Sequence, residues 1–260
     1  LKGLLNGSRH EVGVYERIAA RGVEGGCIRP GGLALTDRAL SLCAFPLGSR
    51  LLDVGCGTGA TVAHLRARRG FLALGVDPSL LMIQQGVAGN ESLPLLQASG
   101  ECLPFSDGCL DGVLAECSLS LAADPGRVLR ECRRVLKAGG KLLVSDVYAR
   151  NAAAVSELRT LSEHCCVAGA SSKDEILRNF ADCGFTVLAW EDHSTALKLF
   201  AAQLTLSHGS LNTLWCPPAA DRECAGPAIG ETAARARLGY FLAIAEKSPV
   251  NVVDFRGGAG

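Results

Sequence analysis

No run of about 18 uninterrupted apolar residues occurs in the 260-residue sequence, so no membrane-spanning helix is expected. Nor is there an excess of charge. Lys and Arg number 26, as do Asp and Glu, which leaves no global field to draw the chain to nucleic acid or a membrane surface. The expected partner is a small molecule. The opening residues lack the charged, apolar and small-residue order of a secretory leader, and a cytoplasmic location is expected. The sequence also lacks CxxC pairs. Its 12 cysteines, at 27, 43, 56, 102, 109, 117, 132, 165, 166, 183, 216 and 224, show none of the spacing that frames a structural zinc site. Most are expected to be reduced, buried, small apolar residues, with no metal centre. Aromatic residues are few at 5%, but an apolar content of 48% is enough to bury the core of one globular domain.

What stands out is Leu51-Leu52-Asp53-Val54-Gly55-Cys56-Gly57-Thr58-Gly59. It reads as a short apolar strand, a turn of alternating glycines and a helix beginning near Ala60. Glycine at every second position lets the backbone turn sharply and approach a ligand closely, because no Cβ intervenes. The dinucleotide fingerprint spaces its third glycine differently. No Walker lysine follows, which argues against a triphosphate.

Three further blocks follow in order: Leu74-Gly75-Val76-Asp77-Pro78-Ser79, then Cys102-Leu103-Pro104-Phe105-Ser106-Asp107 with Leu110-Asp111-Gly112-Val113, then Arg134-Val135-Leu136-Lys137-Ala138-Gly139-Gly140-Lys141. Over residues 50–146 this ordered set resembles the class I S-adenosylmethionine-dependent methyltransferases, in the small-molecule branch called methyltransferase type 11. The resemblance implies a Rossmann-like, doubly wound α/β fold with a seven-stranded sheet whose last strand is reversed. Strands are expected at about 50–54, 71–76, 94–98, 110–116, 141–147, 186–189 and 239–246, with a helix over 171–183.

The domain plan that follows is an N-terminal helical lid over 1–45, a methyltransferase domain over 46–248 and a tail over 249–260. Segments 151–170 and 191–235 lie outside the core repeat and are expected to build the substrate side. In the lid, helices are expected over 11–20 and 35–43, the second capped by Thr36, with Arg29-Pro30-Gly31-Gly32 as a loop between them. Tyr15 and Arg29 are lid contacts by resemblance; the plainer reading packs Tyr15 with its hydroxyl at the surface. Residues 215–230, rich in proline and glycine, are expected to form a loop free of helix or strand interior.

The resemblance implies S-adenosylmethionine as cofactor and S-adenosylhomocysteine as product. The cofactor-binding set carried over is Asp53, Gly55, Cys56, Gly57, Thr58, Gly59, Asp77, Pro78, Met82, Ser99, Glu101, Cys102 and Glu116. Asp77 would accept the two ribose hydroxyls through charge-assisted hydrogen bonds. Its alternative role is only to cap the next helix. Asp53 would reach the methionine ammonium, Ser99 or Glu101 the adenine amine, and Met82 with Leu103 the two faces of the ring.

Methyl transfer is an in-line displacement that rests on alignment and exclusion of water. A general base is needed for oxygen and nitrogen acceptors more than for thiolates. Glu116, Asp146, Tyr148, His164, His193 and His208 are the candidates by chain position. In the C-terminal half, His164-Cys165-Cys166-Val167-Ala168-Gly169-Ala170 followed by Cys216 resembles the arsenite methyltransferases, which implies Cys166 and Cys216 as thiolate ligands of a metalloid substrate. Cys27, Cys56 or Cys224 would then supply a third thiolate. Where those enzymes carry another cysteine, this chain reads Ala60-Thr61-Val62. Three functions therefore stand side by side. The first is methyl transfer to an organic small molecule, the second methylation of a thiolate-bound metalloid, and the third a non-catalytic cofactor-binding or metal-sensing role.

Overall fold

Leu51 and Leu52 are both fully buried although they point to opposite faces, because the strand they form, β1 (Arg50–Val54), is covered by helices on each side. The computed structural model describes residues 14–21, 27–161, 165–208 and 226–249. After β1 come β2 (Leu72–Asp77), β3 (Leu95–Gln97), β4 (Leu110–Glu116), β5 (Leu136–Ala149), the two-residue β6 (Ser171–Ser172), β7 (Phe185–Asp192) and β8 (Leu238–Lys247). Their order is β3-β2-β1-β4-β5-β8-β7, with β6 beside β5. The pairs from β3 to β5 are parallel. β8 runs antiparallel to both its neighbours, so the last strand is the reversed one.

The helices are α1 (Val14–Arg21), α2 (Gly32–Cys43), α3 (Ala60–Arg69), α4 (Leu80–Gly89), α5 (Pro125–Val135), α6 (Val155–Leu158), α7 (Lys173–Asp182), α8 (Ser194–His208) and α9 (Gly226–Ala236). Two cores result. Leu40, Leu65 and Ile83 of α2, α3 and α4 join Leu51, Leu114 and Leu143 on one face, while Leu129 of α5 and Phe180 of α7 join Leu52, Val113 and Val144 on the other. Adjacent residues of β1, β4 and β5 thus divide between the cores, as period-two side-chain alternation requires. No helix among the described residues is long and apolar enough to cross a membrane.

The sequence expectation needs correction in several places. Thr36 is not a cap: α2 begins at Gly32, behind Gly31 at φ 77°, and Thr36 is fully buried inside it. A left-handed glycine can start the helix without a side-chain cap, and this frees Thr36 for a tertiary bond. β5 starts five residues earlier than expected. Leu136 pairs with Leu110 before the register shifts at Gly112 and Lys141. Residues 226–230 are helical, against the expected loop, because Pro227 falls in the first turn of α9, where an amide N–H is not needed. The rest of that segment lies outside the described residues.

Arg134 explains why the third and fourth sequence blocks occur together. It donates to the Leu103 and Phe105 carbonyl oxygens at 2.9 and 2.7 Å and to Asp107 at 2.8 Å, with Glu131 bonding its Nε at 2.7 Å. One side chain at the end of α5 thereby shapes the 103–107 loop. Arg134→Met should lower the free energy of unfolding by roughly 2–3 kcal/mol, since several charged hydrogen bonds to a partly buried loop are lost. Urea denaturation measures this; an unchanged midpoint would contradict the role.

Candidate active site

In an open sheet the ligand crevice lies at the carboxyl ends of the strands, where the strand order reverses. Here that point is between β1 and β4. A cavity of about 520 Å³ lies there, within the range of roughly 300–1,000 Å³ usual for small-molecule sites.

Its floor is the glycine turn. Gly55 has φ 77°, and a Cβ there would stand 2.5 Å from the Cβ of Ser118, so only glycine fits both the backbone and the space. The amides of Gly55 and Cys56 both donate to the Val76 carbonyl, at 2.8 and 3.0 Å, which ties the turn to the end of β2. From that end Asp77 reaches back. Its Oδ2 accepts from the Gly57 amide at 2.9 Å and its Oδ1 from the Ser79 amide at 2.8 Å. The helix cap is Ser79, whose Oγ accepts from the Met82 amide, so the reading of Asp77 as a mere cap falls. Glu16 of α1 bonds Ser79 in turn, which brings α1 over this edge of the cavity.

Asp53, one residue before the end of β1, is almost fully buried. Burial, with the charge of Glu116 added, pushes its carboxyl up to about 8, although Arg29 pulls it down. Glu116 closes β4. Its Oε1 accepts from Thr36 at 2.8 Å, its Oε2 from Thr61 at 3.0 Å, and Oε2 pairs with Arg29 Nη2 at 2.9 Å. Both oxygens are engaged. Glu116 is therefore built to hold α2, α3 and Arg29 in place more than to move a proton.

The cavity brings together Asp53, Gly55, Cys56, Gly57, Thr58, Asp77, Pro78, Met82, Ser99, Glu101 and Glu116 of the sequence set. Gly59 and Cys102 are not in its wall. Gly59, at φ 81°, packs toward Leu95, and the Cys102 side of its loop is exposed. Ser99 and Glu101 bond each other at 3.1 Å, and the second Glu101 oxygen accepts from the Asp124 amide. Leu103 is buried in the core that contains α5, where it does not line the cavity.

Among the candidate bases, Tyr148 is elsewhere. Its hydroxyl donates to Asp192 at 2.5 Å and its ring packs on Trp190 and Phe241. Asp146 is sealed by bonds from Ser120 and from the Val147 amide, and His193 bonds Glu191 at 2.9 Å. His164, Cys216, Cys224 and the side chain of His208 lie outside the described residues.

Cys166 lies near Tyr15, expected from the sequence as a lid contact, and near Cys117, which was not singled out from the sequence. Cys117 and, more weakly, Tyr15 favour its ionised form and lower its titration point, against the opposing effect of burial. Cys117 follows Glu116 directly, at φ 59°, so its place at a strand end was readable. Thr36 and Thr61 were missed because their partner is 80 and 55 residues away. Among the described residues no group of three His, Cys, Asp or Glu side chains is arranged to hold a metal ion.

The family model for the methyltransferase domain matches residues 52–144. The chain is 32% identical over 175 residues to the uncharacterized methyltransferase YodH of Bacillus subtilis, which covers 64% of this chain and 72% of that protein. Matches to three other curated relatives cover 36%, 42% and 54% of those proteins, so the chain spans about half their length or less. Among solved structures, the [4+2]-cyclase SpnF aligns at a TM-score of 0.65 with 26% identity, over 83% of this chain and 80% of that one. The geranyl diphosphate C-methyltransferase of Streptomyces coelicolor A3(2), crystallised with S-adenosyl-L-homocysteine, also reaches 0.65 over 83% and 80%; at 18% identity this is a likeness of fold. With its glycine turn, the acids at the carboxyl-terminal ends of β1 and β2, the last or last but one residue of each, and its reversed β8, the chain belongs to the S-adenosylmethionine-dependent methyltransferases.

Proposed function

We propose that the protein transfers the methyl group of S-adenosylmethionine to a small-molecule acceptor by in-line displacement, releasing S-adenosylhomocysteine. The observation that carries this is the placement of Asp53 and Asp77, at the ends of adjacent strands, in one cavity with a glycine turn that tolerates no Cβ at Gly55. Asp77 is held by two amides in position to accept the ribose hydroxyls. Asp53 faces the methionine ammonium, Ser99 and Glu101 the adenine edge, and Met82 its ring.

The bound cofactor supplies a methyl carbon already activated by a positive sulfur. The chain's own work is to align the acceptor and keep water out. Beyond the cofactor, the wall continues through Tyr15, Cys27, Cys117, Ser118 and Leu121. Glu116 and Asp146 are committed to other bonds, so this end of the cavity favours acceptors that arrive nucleophilic, such as thiolates and stabilised carbanions, over alcohols that need a strong base. Release of S-adenosylhomocysteine with a panel of thiols, quinols, phenols and amines tests this. Turnover confined to alcohols would contradict it. Cofactor binding with no turnover on any acceptor would favour the non-catalytic role.

The thiolate-bound metalloid is a second reading, favoured by Cys117 in the cavity wall with Cys166 within its electrostatic reach. It predicts arsenite-dependent turnover that is lost in both Cys117→Ser and Cys166→Ser. Turnover of organic acceptors that survives both changes excludes it.

Binding should be linked to pH through Asp53. Its carboxyl lies near 8 in the folded protein against about 3.9 for a free Asp, so the folded state holds a proton that the unfolded chain releases. The contribution of Asp53 to the stability of the cofactor-free protein therefore falls as pH rises from about 4 to about 8. A cation beside Asp53 favours its ionised form. Affinity for S-adenosylmethionine should rise toward pH 8, with a proton expelled on binding at pH 7. Calorimetry in phosphate and in Tris, whose ionisation heats differ, reads the proton directly; equal heats would contradict the linkage.

A further inference from the structure

At the opposite end of the sheet from the cofactor cavity lies a second cleft, of about 620 Å³. Gly108 leads into β4, Gly184 leads into β7 and Lys247 ends the reversed β8, so the cleft opens at the amino ends of the parallel strands, beside the last turns of α5 and α7. β4 has seven residues, and at about 3.3 Å per residue the two sites stand roughly 20 Å apart.

The two sites carry opposite charge, although the chain as a whole is neutral. The wall of the cofactor cavity holds the carboxylates of Glu16, Asp53, Asp77, Glu101 and Glu116 and, among the described residues, a single cation, Arg29. The second cleft holds Arg130, Arg133, Arg134 and Lys247 against Asp107 and Asp182, four cations to two acids. Arg134 is spent on Glu131 and Asp107. Arg133 and Lys247 have no carboxylate partner among the described residues. Arg133 donates through Nε to the Gly184 carbonyl at 3.1 Å and through Nη2 to the Ser248 carbonyl at 3.5 Å, and Lys247 donates to the Leu136 carbonyl at 2.6 Å. Burial and the neighbouring charge of Arg133 pull the Lys247 ammonium below its ordinary value.

Helix capping accounts for part of this. Arg133 lies in the last turn of α5 and Leu136 is its C-cap, where cations meet the negative end of the helix dipole. That end amounts to about half a charge, less than the two cations that face it. Like charges side by side with only carbonyls for partners call for an anion between them. A guanidinium fork next to a point charge, in a cleft with an excess of two positive charges, suits a tetrahedral dianion. We propose that this cleft binds a phosphate group, held by Arg133 and Lys247 and drawn in by Arg130. The site is independent of the methyl-transfer reading.

The test is titration of the ¹⁵N-labelled full chain with inorganic phosphate at constant ionic strength, read at the amides of Gly108 and Gly184 in the cleft and of Gly55 and Gly57 in the cofactor cavity. Gly108 and Gly184 should shift saturably, half-way at about 10 mM phosphate or below, the scale of two charge-assisted hydrogen bonds, while Gly55 and Gly57 stay in place. Arg133→Gln keeps an amide to donate to the Gly184 carbonyl but removes the charge, and should weaken phosphate about tenfold. Asp182→Asn takes an exposed carboxylate out of the cleft and should tighten phosphate about twofold. A gain of affinity cannot come from damage to the fold, so this variant carries the test if Arg133→Gln does not fold. Glycerol 3-phosphate identifies the source of the group: tighter binding than inorganic phosphate assigns the cleft to a phosphomonoester, equal or weaker binding to free phosphate. Absence of saturable shifts at Gly108 and Gly184, shifts that chloride alone reproduces, or an affinity unchanged in both variants overturns the proposal.

Discussion

Asp77→Ala should weaken S-adenosylhomocysteine binding by roughly 10²–10⁴-fold and destabilise the protein as well. On the proposed function, the binding loss follows from two charge-assisted bonds from the ribose diol to Asp77, each worth about 1.5–3 kcal/mol, or about 3–6 kcal/mol together. The stability loss has a separate origin. The Gly57 and Ser79 amides both lose their acceptor, and each amide left unpaired costs about 1–3 kcal/mol. Asp77→Asn retains one carbonyl acceptor for these amides and should fall between wild type and Ala on both scales. The two readouts separate the roles. If Asp77 only ties the glycine turn to α4, stability drops while the affinity of the folded fraction stays within about threefold of wild type.

The second large effect concerns Glu116. Glu116→Ala leaves the Arg29 guanidinium buried and uncompensated and strips the Thr36 and Thr61 hydroxyls of their acceptor. Breaking a buried ion pair from one side costs about 3–5 kcal/mol, a large fraction of the stability of an ordinary domain. The pair itself need not be stabilising relative to apolar residues of like size. Arg29→Met combined with Glu116→Leu should therefore recover much of the stability lost by Glu116→Ala, while cofactor binding stays impaired. Urea unfolding of the single and double variants checks this. A cost below about 1 kcal/mol for Glu116→Ala would mean that the network of α2, α3 and β4 does not hold the cavity wall.

This network shows where reading the sequence stops. The parallel strands and the glycine turn were legible because each is a local pattern: an apolar run, a turn that needs positive φ, then helical periodicity. The reversed last strand was legible only through family resemblance, since no local pattern states direction. Arg29 and Glu116 are far apart in the chain, and nothing within either neighbourhood signals that a guanidinium will be buried against a carboxylate. The same distance hid the role of Thr36. Its residue type suggested a cap, and the tertiary acceptor on β4 overrode that local preference.

Tyr148 and Cys117 make a complementary pair. Both lie near strand ends that approach the crevice, but Tyr148 falls on the side of β5 that packs under Trp190 and Phe241, while Cys117 turns into the cavity at φ 59°. In a strand of period two, one residue of register decides which face a side chain serves. The register of β5 shifts between Leu136 and Lys141, around a turn with Gly139 at φ 71°, so counting from the fourth sequence block could not fix it. Residues 226–230 show a different limit. Proline and glycine there were read as helix breakers, yet a helix start accepts both.

The most direct measurement is titration calorimetry of the full chain with S-adenosylhomocysteine at pH 7, in two buffers of different ionisation heat. The account predicts one site per chain, proton release on binding and loss of the signal in Asp77→Ala. A folded protein that gives no binding heat up to millimolar ligand would contradict the assignment of Asp53, Asp77 and the glycine turn to this cofactor.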